Sequence, residues 1–305
     1  MSKAKYEVET PILFLTYNKP EETIRVLKKI LKITPKKLYI NSDGPKNNLE
    51  SEKINTLREQ IDFLTQGEDV TKFYWETNLG CRNSVITSLN KIFETCEKLI
   101  IIEDDVYPSV KFFKFCDASL KKYSNNHKVS SISGFNYFMF SKKNKNLLFS
   151  KYFNSWGWAT WKNRWEQVGT IDDNFEDEIL NFKNLHHDEQ LHFFSEFKKV
   201  KNGQIDSWAY DFVYHNFKYE LLTVTPKYNL IKNIGFGNQV SAHTKNKYSL
   251  MLVSLNKIFS ILQRVSSLPV NVNQDVKYDH KRMRRVILKN TLFNRVSYKA
   301  IKKLQ

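Results

Sequence analysis

The sequence lacks the features of a secreted or membrane-spanning protein. Its three cysteines, Cys81, Cys96 and Cys116, have spacings that match neither a disulfide framework nor a zinc site. The N-terminus has no basic stretch followed by the roughly 7–15 apolar residues of a signal peptide, and no run approaches the ~20 apolar residues of a membrane span. We therefore expect a protein of the reducing cytoplasm whose membrane contacts are peripheral.

No internal repeat or low-complexity block interrupts the 305 residues, so disorder is not expected. Hydrophobic residues make up 41% and aromatic residues 14% of the chain, which is enough for a packed core and for surfaces that stack on sugars. The length suits one large α/β unit with an appendage. We place a catalytic domain at residues 1–280 and a tail at residues 281–305.

The net charge of +16 does not by itself indicate nucleic acid as a partner. Lysine supplies 39 of the 48 basic residues, and residues 251–305 carry +10 against +6 for residues 1–250. Within 281–305 the basic residues are interleaved with aliphatic ones, a pattern typical of a basic amphipathic helix. This pattern favours an anionic membrane surface or a protein partner over nucleic acid, with a helix packed on the body as the alternative.

Short apolar strands alternate with helices over the first part of the chain. Strands are predicted at 11–17, 37–41, 73–75 and 98–102, and helices at about 18–31 and 82–93. This alternation indicates βαβ units and a parallel sheet, whose ligands bind at the carboxyl ends of the strands. The residues at those predicted ends are Thr16, Tyr17, Asn18, Asp43, Glu103, Asp104 and Asp105.

The acidic run Glu103-Asp104-Asp105 directly follows the most apolar predicted strand. Alternation along an extended chain puts Glu103 and Asp105 on the same side. Adjacent carboxylates repel one another, and a hard divalent cation relieves that repulsion. Mg²⁺ or Mn²⁺ held here would bridge to a diphosphate and stabilise it as a leaving group. For the tripeptide alone, a solvated acidic turn is the alternative.

Several segments resemble known glycosyltransferases. The stretch 99–105, Leu-Ile-Ile-Ile-Glu-Asp-Asp, followed by Pro108 and the aromatic run 112–115, is similar to the metal-binding segment of the N-acetylglucosaminyltransferase I family. The segments 131–136, 155–161 (Ser-Trp-Gly-Trp-Ala-Thr-Trp), 233–237 (Asn-Ile-Gly-Phe-Gly) and 242–244 resemble that family or bacterial hemolytic-protein-like glycosyltransferases. The likeness spans about residues 10–280. It implies a GT-A fold, a mixed sheet flanked by helices, here with a basic helical tail.

The resemblance also implies roles for individual residues. Asp105 is then the direct metal ligand, while Glu103 and Asp104 contact the donor sugar and ribose. Asp43 looks like the acid that hydrogen-bonds the nucleobase, although a turn-capping role is favoured by residue type alone. His243, in a polar loop after a glycine-rich turn, is a second candidate metal ligand, with a structural histidine as the alternative.

Arg82 is a candidate for contact with the donor phosphates. It stands at a predicted helix start after Asn78-Leu-Gly80, where its guanidinium and free backbone N–H groups could face one anion. An ordinary surface arginine is the alternative. Thr16, Tyr17 and Asn18, at the end of the first predicted strand, complete the candidate donor-binding set.

Four tryptophans fall between residues 156 and 165. Trp156 and Trp158 flank Gly157, where backbone can approach a ligand and indole can pack on the C–H face of a sugar. We expect these two at the donor or acceptor pocket. Trp161 and Trp165 are spaced like residues on one helix face, so we expect them in the core.

An inverting transfer needs a base for the acceptor hydroxyl. The related family carries its acid immediately after a Trp at a helix start, and Ala209 stands at that position here. If the helix begins by Asp206, that residue lies one turn before position 209 on the same face and is our first candidate for the base, with a helix-capping role as the alternative. Asp211 is the second candidate.

The sequence therefore predicts a metal-dependent, inverting glycosyltransferase. It would move a hexosyl or N-acetylhexosaminyl group from a UDP-sugar to a hydroxyl of a cell-surface glycan or lipid-linked acceptor at the inner face of the membrane. A sugar nucleotidyltransferase is less favoured, because the segment 16–20 after the first strand lacks a glycine-rich phosphate loop. Ala209 is the one observation that favours a third interpretation, an inactive, membrane-associated protein of the same fold.

Overall fold

The computed structural model describes residues 7–138, 146–235 and 268–284. These residues form a large sheet, a two-stranded sheet and surrounding helices. The strands are β1 (Ile12–Thr16), β2 (Leu38–Ser42), β3 (Val70–Tyr74), β4 (Lys98–Glu103), β5 (Val106–Pro108), β6 (Val129–Ser133), β7 (Leu147–Ser150), β8 (Trp158–Trp161), β9 (Leu222–Pro226) and β10 (Ile231–Asn233). The helices are α1 (Pro20–Leu31), α2 (Asn48–Leu64), α3 (Gly80–Phe93), α4 (Val110–Lys122), α5 (Lys162–Trp165), α6 (Phe175–Leu180), α7 (His187–Lys201), α8 (Ala209–Lys218) and α9 (Val276–Arg282).

The large sheet has eight strands in the order β3-β2-β1-β4-β8-β6-β9-β7. The first four are parallel, and β8 runs antiparallel to both β4 and β6. At the other end of the sheet, β9 is parallel to β6 and antiparallel to β7. The predicted α/β architecture, a mixed sheet flanked by helices, is confirmed.

Both faces of the parallel half are covered by helices. In β1, Ile12 and Phe14 belong to the same core cluster as residues of α1, α2 and α4. Leu13 and Leu15 point to the other face and pack with α3 and α8. Burial on both faces is the reason this strand reads as an unbroken apolar run.

The strands and helices predicted in the first 105 residues are confirmed, with ends shifted by a few residues. Helix α2 was not predicted. Its start carries a usable signal, because Asn47 Oδ1 accepts a hydrogen bond from the Glu50 backbone N–H at 3.0 Å and so caps the helix. The α2 helix matters for the site because it supplies Glu50 and Arg58.

Helix α9 joins the start of the predicted tail to the body. Asp279 accepts hydrogen bonds from Ser150 Oγ at 2.5 Å and from the Lys151 backbone N–H at 3.1 Å, and Met283 is buried in a core cluster. Most of the tail, residues 285–305, lies outside the described residues, as does His243. In the part of the chain that the structure describes, no helix is long and apolar enough to cross a membrane.

Candidate active site

A cavity of about 500 Å³ opens at the carboxyl ends of β1, β2 and β4. Its volume falls within the roughly 300–1,000 Å³ typical of ligand pockets. The sheet brings together residues far apart in sequence here, as expected for ligand sites of parallel sheets. Predicted site residues in its lining are Thr16, Tyr17, Asp43, Glu103, Asp104 and Asp206.

The acidic run at the end of β4 is crowded. Burial, followed by the charges of Asp105 and Asp104, raises the pKa of the Glu103 carboxyl from 4.5 to about 8. Burial also raises the pKa of Asp104 to about 6, against the lowering effect of Lys19. The metal-free run therefore carries less than its full negative charge near neutral pH, and a bound cation would favour ionisation.

Lys19 is already in contact with two of these carboxylates. Its Nζ lies 3.0 Å from Asp104 Oδ1 and 2.9 Å from Asp105 Oδ2. Burial lowers the pKa of Lys19, but the two carboxylates outweigh burial and raise it overall, so the ammonium group stays charged. The sequence analysis missed this residue. Its position three residues beyond the end of β1, at the edge where the acids were predicted to gather, could have identified it.

Asp105 offers the clearest fit for a metal ion. Its Oδ1 is buried and has no hydrogen-bond partner among the described residues. An ionised carboxylate only accepts, so a hard cation is a natural partner for this oxygen. No group of three or more His, Cys, Asp and Glu side chains in the described ranges could hold a metal unaided. Asp105 therefore fits an ion that also takes substrate phosphates as ligands, as Mg²⁺ commonly does.

Because β5 pairs with β10, the start of the Asn-Ile-Gly-Phe-Gly segment lies against the acidic run. The Ile234 backbone N–H donates to the Asp105 carbonyl at 2.7 Å. A Cβ added to Gly235 would lie 2.8 Å from Asp105 Oδ2. Glycine at position 235 thus lets the chain pass against the Asp105 carboxylate.

Asp43 organises a turn at the cavity wall. Its Oδ1 accepts from the backbone N–H groups of Gly44 at 2.8 Å and Leu79 at 2.9 Å, and its Oδ2 accepts from Asn78 Nδ2 at 3.2 Å. Arg58 Nη2 donates to the Asp43 carbonyl at 3.2 Å. Burial raises the pKa of Asp43 despite these bonds. The side chain therefore has a turn-forming role while lining the cavity.

The loop after β1 is tied to its neighbours. Thr16 Oγ1 donates to the Asn41 carbonyl at 3.1 Å, and the Tyr17 hydroxyl donates to Glu50. Asn18 Nδ2 also donates to Glu50 Oε1, at 3.2 Å. Thr16 and Tyr17 line the cavity, whereas the Asn18 side chain anchors the loop to α2.

Asp206 lines the cavity and caps a neighbouring helix. Its Oδ2 accepts from the Cys81 backbone N–H at 2.7 Å and its Oδ1 from that of Arg82 at 3.1 Å, both at the start of α3. A Cβ on Gly80, whose φ is +81°, would lie 2.8 Å from Asp206 Oδ2. Because α8 begins at Ala209, Asp206 caps α3 rather than its own helix.

Arg82 and Asp211 are placed differently from expectation. The Arg82 guanidinium forms an ion pair with Asp211, and its Nη1 donates to the Ser207 carbonyl at 3.2 Å. Asp211 is buried and also accepts from the Ile171 backbone N–H at 3.2 Å. This pair lines a separate cavity of about 430 Å³. The structure therefore places Arg82, predicted to contact the donor phosphates, and Asp211, the second candidate base, beside this cavity and not in the lining of the 500 Å³ cavity.

The tryptophan predictions are corrected in part. Trp158 is fully buried in β8, a strand covered on both faces, and stacks on Trp208 with ring centroids 5.1 Å apart. Gly157 has φ +59°, and an added Cβ would lie 3.0 Å from Ile231 Cγ2, so this glycine serves internal packing. Trp156 lines a different, aromatic cavity.

Trp161 and Trp165 are both buried, which confirms their core placement. The helical spacing argued for them was wrong, however. Trp161 ends β8 and packs with the cluster that contains α1 and α4, while Trp165 belongs to α5 and packs with the cluster of α3 and α8.

No protein-family model and no curated protein matches this sequence. Among solved structures, similar chains include a mannosyltransferase from Pyrobaculum calidifontis in complex with GDP-Man and Mn²⁺, at 12% identity and TM-score 0.38, covering 87% of this chain and 78% of that one. GalNAc-T7 with UDP, GalNAc and Mn²⁺ is 10% identical at TM-score 0.49, covering 93% and 58%. UDP-glucose pyrophosphorylase with UDP-glucose is 8% identical at TM-score 0.39, covering 74% and 94%. The ligands named belong to those proteins, and no residue role is transferred from them.

The raised pKa of Glu103 predicts a pH dependence of folding. The unfolded chain releases this proton near 4.5 and the folded, metal-free chain near 8, so the free energy of unfolding should fall as pH rises between these values. Urea unfolding of the wild-type protein, measured with a chelator present at pH values between 4.5 and 8, should show this fall in the free energy of unfolding. In Glu103→Gln the fall should be smaller. Equal slopes in the two proteins would contradict the assignment.

Proposed function

We propose that this protein is a metal-dependent glycosyltransferase that moves a sugar from a nucleotide-diphosphate donor to the hydroxyl of a cell-surface glycan or lipid-linked acceptor. The observation that carries the proposal is that Glu103, Asp104, Asp43 and Asp206 line one cavity of about 500 Å³, with Asp105 next to Asp104 in the chain. Such a site offers carboxylates for a cation, a polar wall for a nucleoside and a carboxylate for proton transfer.

The donor lies along this cavity in the proposed complex. Asp43 accepts a hydrogen bond from the nucleobase, and uracil of a UDP-sugar, which the sequence resemblance favours, offers one ring N–H. Glu103 and Asp104 contact the sugar and ribose hydroxyls. Asp105 would hold the ion, which would supply positive charge to offset that of a departing diphosphate.

Asp206 takes the proton from the attacking acceptor hydroxyl. The two backbone N–H groups of α3 fix its carboxylate at the cavity wall, and each oxygen keeps a lone pair for another hydrogen bond. Attack opposite the leaving diphosphate inverts the anomeric centre. Asp211 is not used, because Arg82 already neutralises it outside this cavity.

An inactive protein of this fold is the second candidate, and Ala209 at the position of the related family's acid is the observation that favours it. Incubating the purified chain with UDP-sugars, Mn²⁺ and glycan acceptors separates the possibilities. The proposal expects release of UDP and a glycosylated product. Formation of UTP and a sugar 1-phosphate from the UDP-sugar and added pyrophosphate would identify a nucleotidyltransferase. Failure to turn over any nucleotide-sugar would identify an inactive protein.

Lys19→Met should destabilise the metal-free protein. Removal of the ammonium leaves the crowded carboxylates without a counter-charge, which costs on the order of 3 kcal/mol of unfolding free energy. Mn²⁺ should therefore raise the melting temperature of this variant more than that of the wild type. Lys36→Met, which removes an exposed ion pair with Glu9, is the matched control and should change little. Equal behaviour of the two variants would contradict the role given to Lys19.

A further inference from the structure

The aromatic cavity that Trp156 lines has a volume of about 260 Å³ and lies beside the start of α8. Aromatic rings dominate its wall, and Ala209 in its lining directly follows Trp208, which lines the first cavity. The linings of the two cavities thus include neighbouring residues at the start of α8. The aromatic lining residues are Phe135, Tyr137, Phe153, Trp156 and Tyr210.

Asn154 is a polar side chain in the lining of this aromatic cavity, and it contacts Arg282, which is not itself a lining residue. Arg282 Nη2 donates to Asn154 Oδ1 at 3.1 Å, and Asn154 lines the cavity. Arg282 Nη1 and Asn154 Nδ2 are both buried, and neither has a hydrogen-bond partner within the described residues. A buried donor without an acceptor is destabilising, so two on adjoining side chains indicate a missing acceptor.

The charge on Arg282 strengthens this indication. Its guanidinium lies over the rings of Tyr152 and Tyr137, at 4.6 and 5.4 Å from their centroids. The carboxylate one turn earlier, Asp279, accepts instead from Ser150, Gln274 and the Lys151 backbone. Arg282 thus makes direct contacts with an amide oxygen and two aromatic faces, and the Asp279 carboxylate acts on it through its charge without a direct ion pair among the described residues.

We propose that the aromatic cavity is the acceptor subsite and binds a sugar carrying a carboxylate or phosphate, whose anionic oxygens accept hydrogen bonds from Arg282 and Asn154. The assignment of the ligand as the acceptor rests on the proposed function. Aromatic rings provide flat apolar faces for a sugar ring, and a guanidinium beside an amide N–H suits an anionic group better than a neutral hydroxyl. The cavity is smaller than the donor cavity and suits one sugar unit.

Binding of three small probes tests the chemistry of this subsite. Glucose, glucuronic acid and glucose 6-phosphate are titrated against the full chain by ligand-observed NMR at physiological ionic strength, which screens non-specific attraction to the basic surface. At least one anionic probe should bind about tenfold or more tightly than glucose, as a charge-assisted hydrogen bond allows. Which anionic probe binds distinguishes a carboxylate from a phosphate. Equal binding of all three would overturn the proposal.

Two variants test whether Arg282 and Asn154 are responsible for the preference for the anionic probe. Arg282→Gln should reduce the preference for the anionic probe to within about twofold, whereas Arg284→Gln, which removes the same charge from an exposed position two residues later, should retain it. Asn154→Asp is nearly isosteric and should also abolish the preference by pairing with Arg282, so the test does not depend on one variant folding. A preference retained in Arg282→Gln or Asn154→Asp would overturn the proposal.

A UDP titration with Mn²⁺ on the same samples separates this inference from the proposed function. UDP binding without any anion preference removes the acceptor subsite and leaves the proposed function standing. Anion preference without UDP binding overturns the assignment of the ligand as an acceptor.

Discussion

Asp105→Asn should lower kcat/KM for metal-dependent transfer by about 10³-fold and abolish Mn²⁺ binding measured by electron paramagnetic resonance. Asparagine keeps the size and one oxygen of the side chain but loses the charge that a divalent ion requires. In the structure, Asp105 Oδ1 is buried without a partner among the described residues, so its substitution removes no internal hydrogen bond at that oxygen.

Asp69→Asn is the matched control for this variant. Asp69 carries a carboxylate in an exposed ion pair with Lys37 at 2.6 Å, away from the cavity lining. Its substitution should leave turnover and metal binding unchanged. Full metal-dependent activity in Asp105→Asn would overturn its assignment as the metal ligand.

Asp206→Asn should reduce kcat by about 10²–10⁴-fold with a modest fall in melting temperature. The asparagine side chain keeps one acceptor oxygen for a backbone N–H of α3, but it loses the second hydrogen bond together with the basic group. This substitution therefore separates proton transfer from a purely structural role. A near-normal kcat would show that Asp206 serves α3 alone.

Asp211→Asn gives the opposite expectation. It breaks the buried ion pair with Arg82 and should cost on the order of 3 kcal/mol of unfolding free energy, while kcat of the folded enzyme stays near the wild-type value. Loss of kcat in Asp211→Asn with normal kcat in Asp206→Asn would reverse the two assignments.

The parallel half of the fold could be predicted from the sequence because three of its four strands, β1, β2 and β4, are buried along most of their length. Continuous apolar runs such as 98–102 leave little choice of element, and the polar residues that follow them then gather at one edge of the sheet. The grouping of Asp43, Glu103 and Asp104 in one cavity follows from that rule. It also explains why the loop residue Lys19 reaches the same place.

The less accurate predictions depended on contacts between distant segments. Arg82 stands at a helix start as expected, but the partner that determines its direction, Asp211, lies on α8. Trp158 is buried because β8 is inserted between β4 and β6, an antiparallel pairing that no local pattern indicates. The pairing of Arg282 with Asn154 joins residues 128 positions apart and was equally invisible in the sequence.

The most direct test of the central claim is calorimetric titration of the wild-type chain with UDP, with and without Mn²⁺. We expect saturable binding of UDP that becomes markedly tighter when Mn²⁺ is present, and we expect this metal dependence to be lost in Asp105→Asn. We also expect weaker binding in Asp43→Asn, because the cavity wall that faces the nucleobase loses its charge. Absence of UDP binding in the presence of Mn²⁺, with other nucleoside diphosphates equally inactive, would contradict a nucleotide-sugar site at the acidic run.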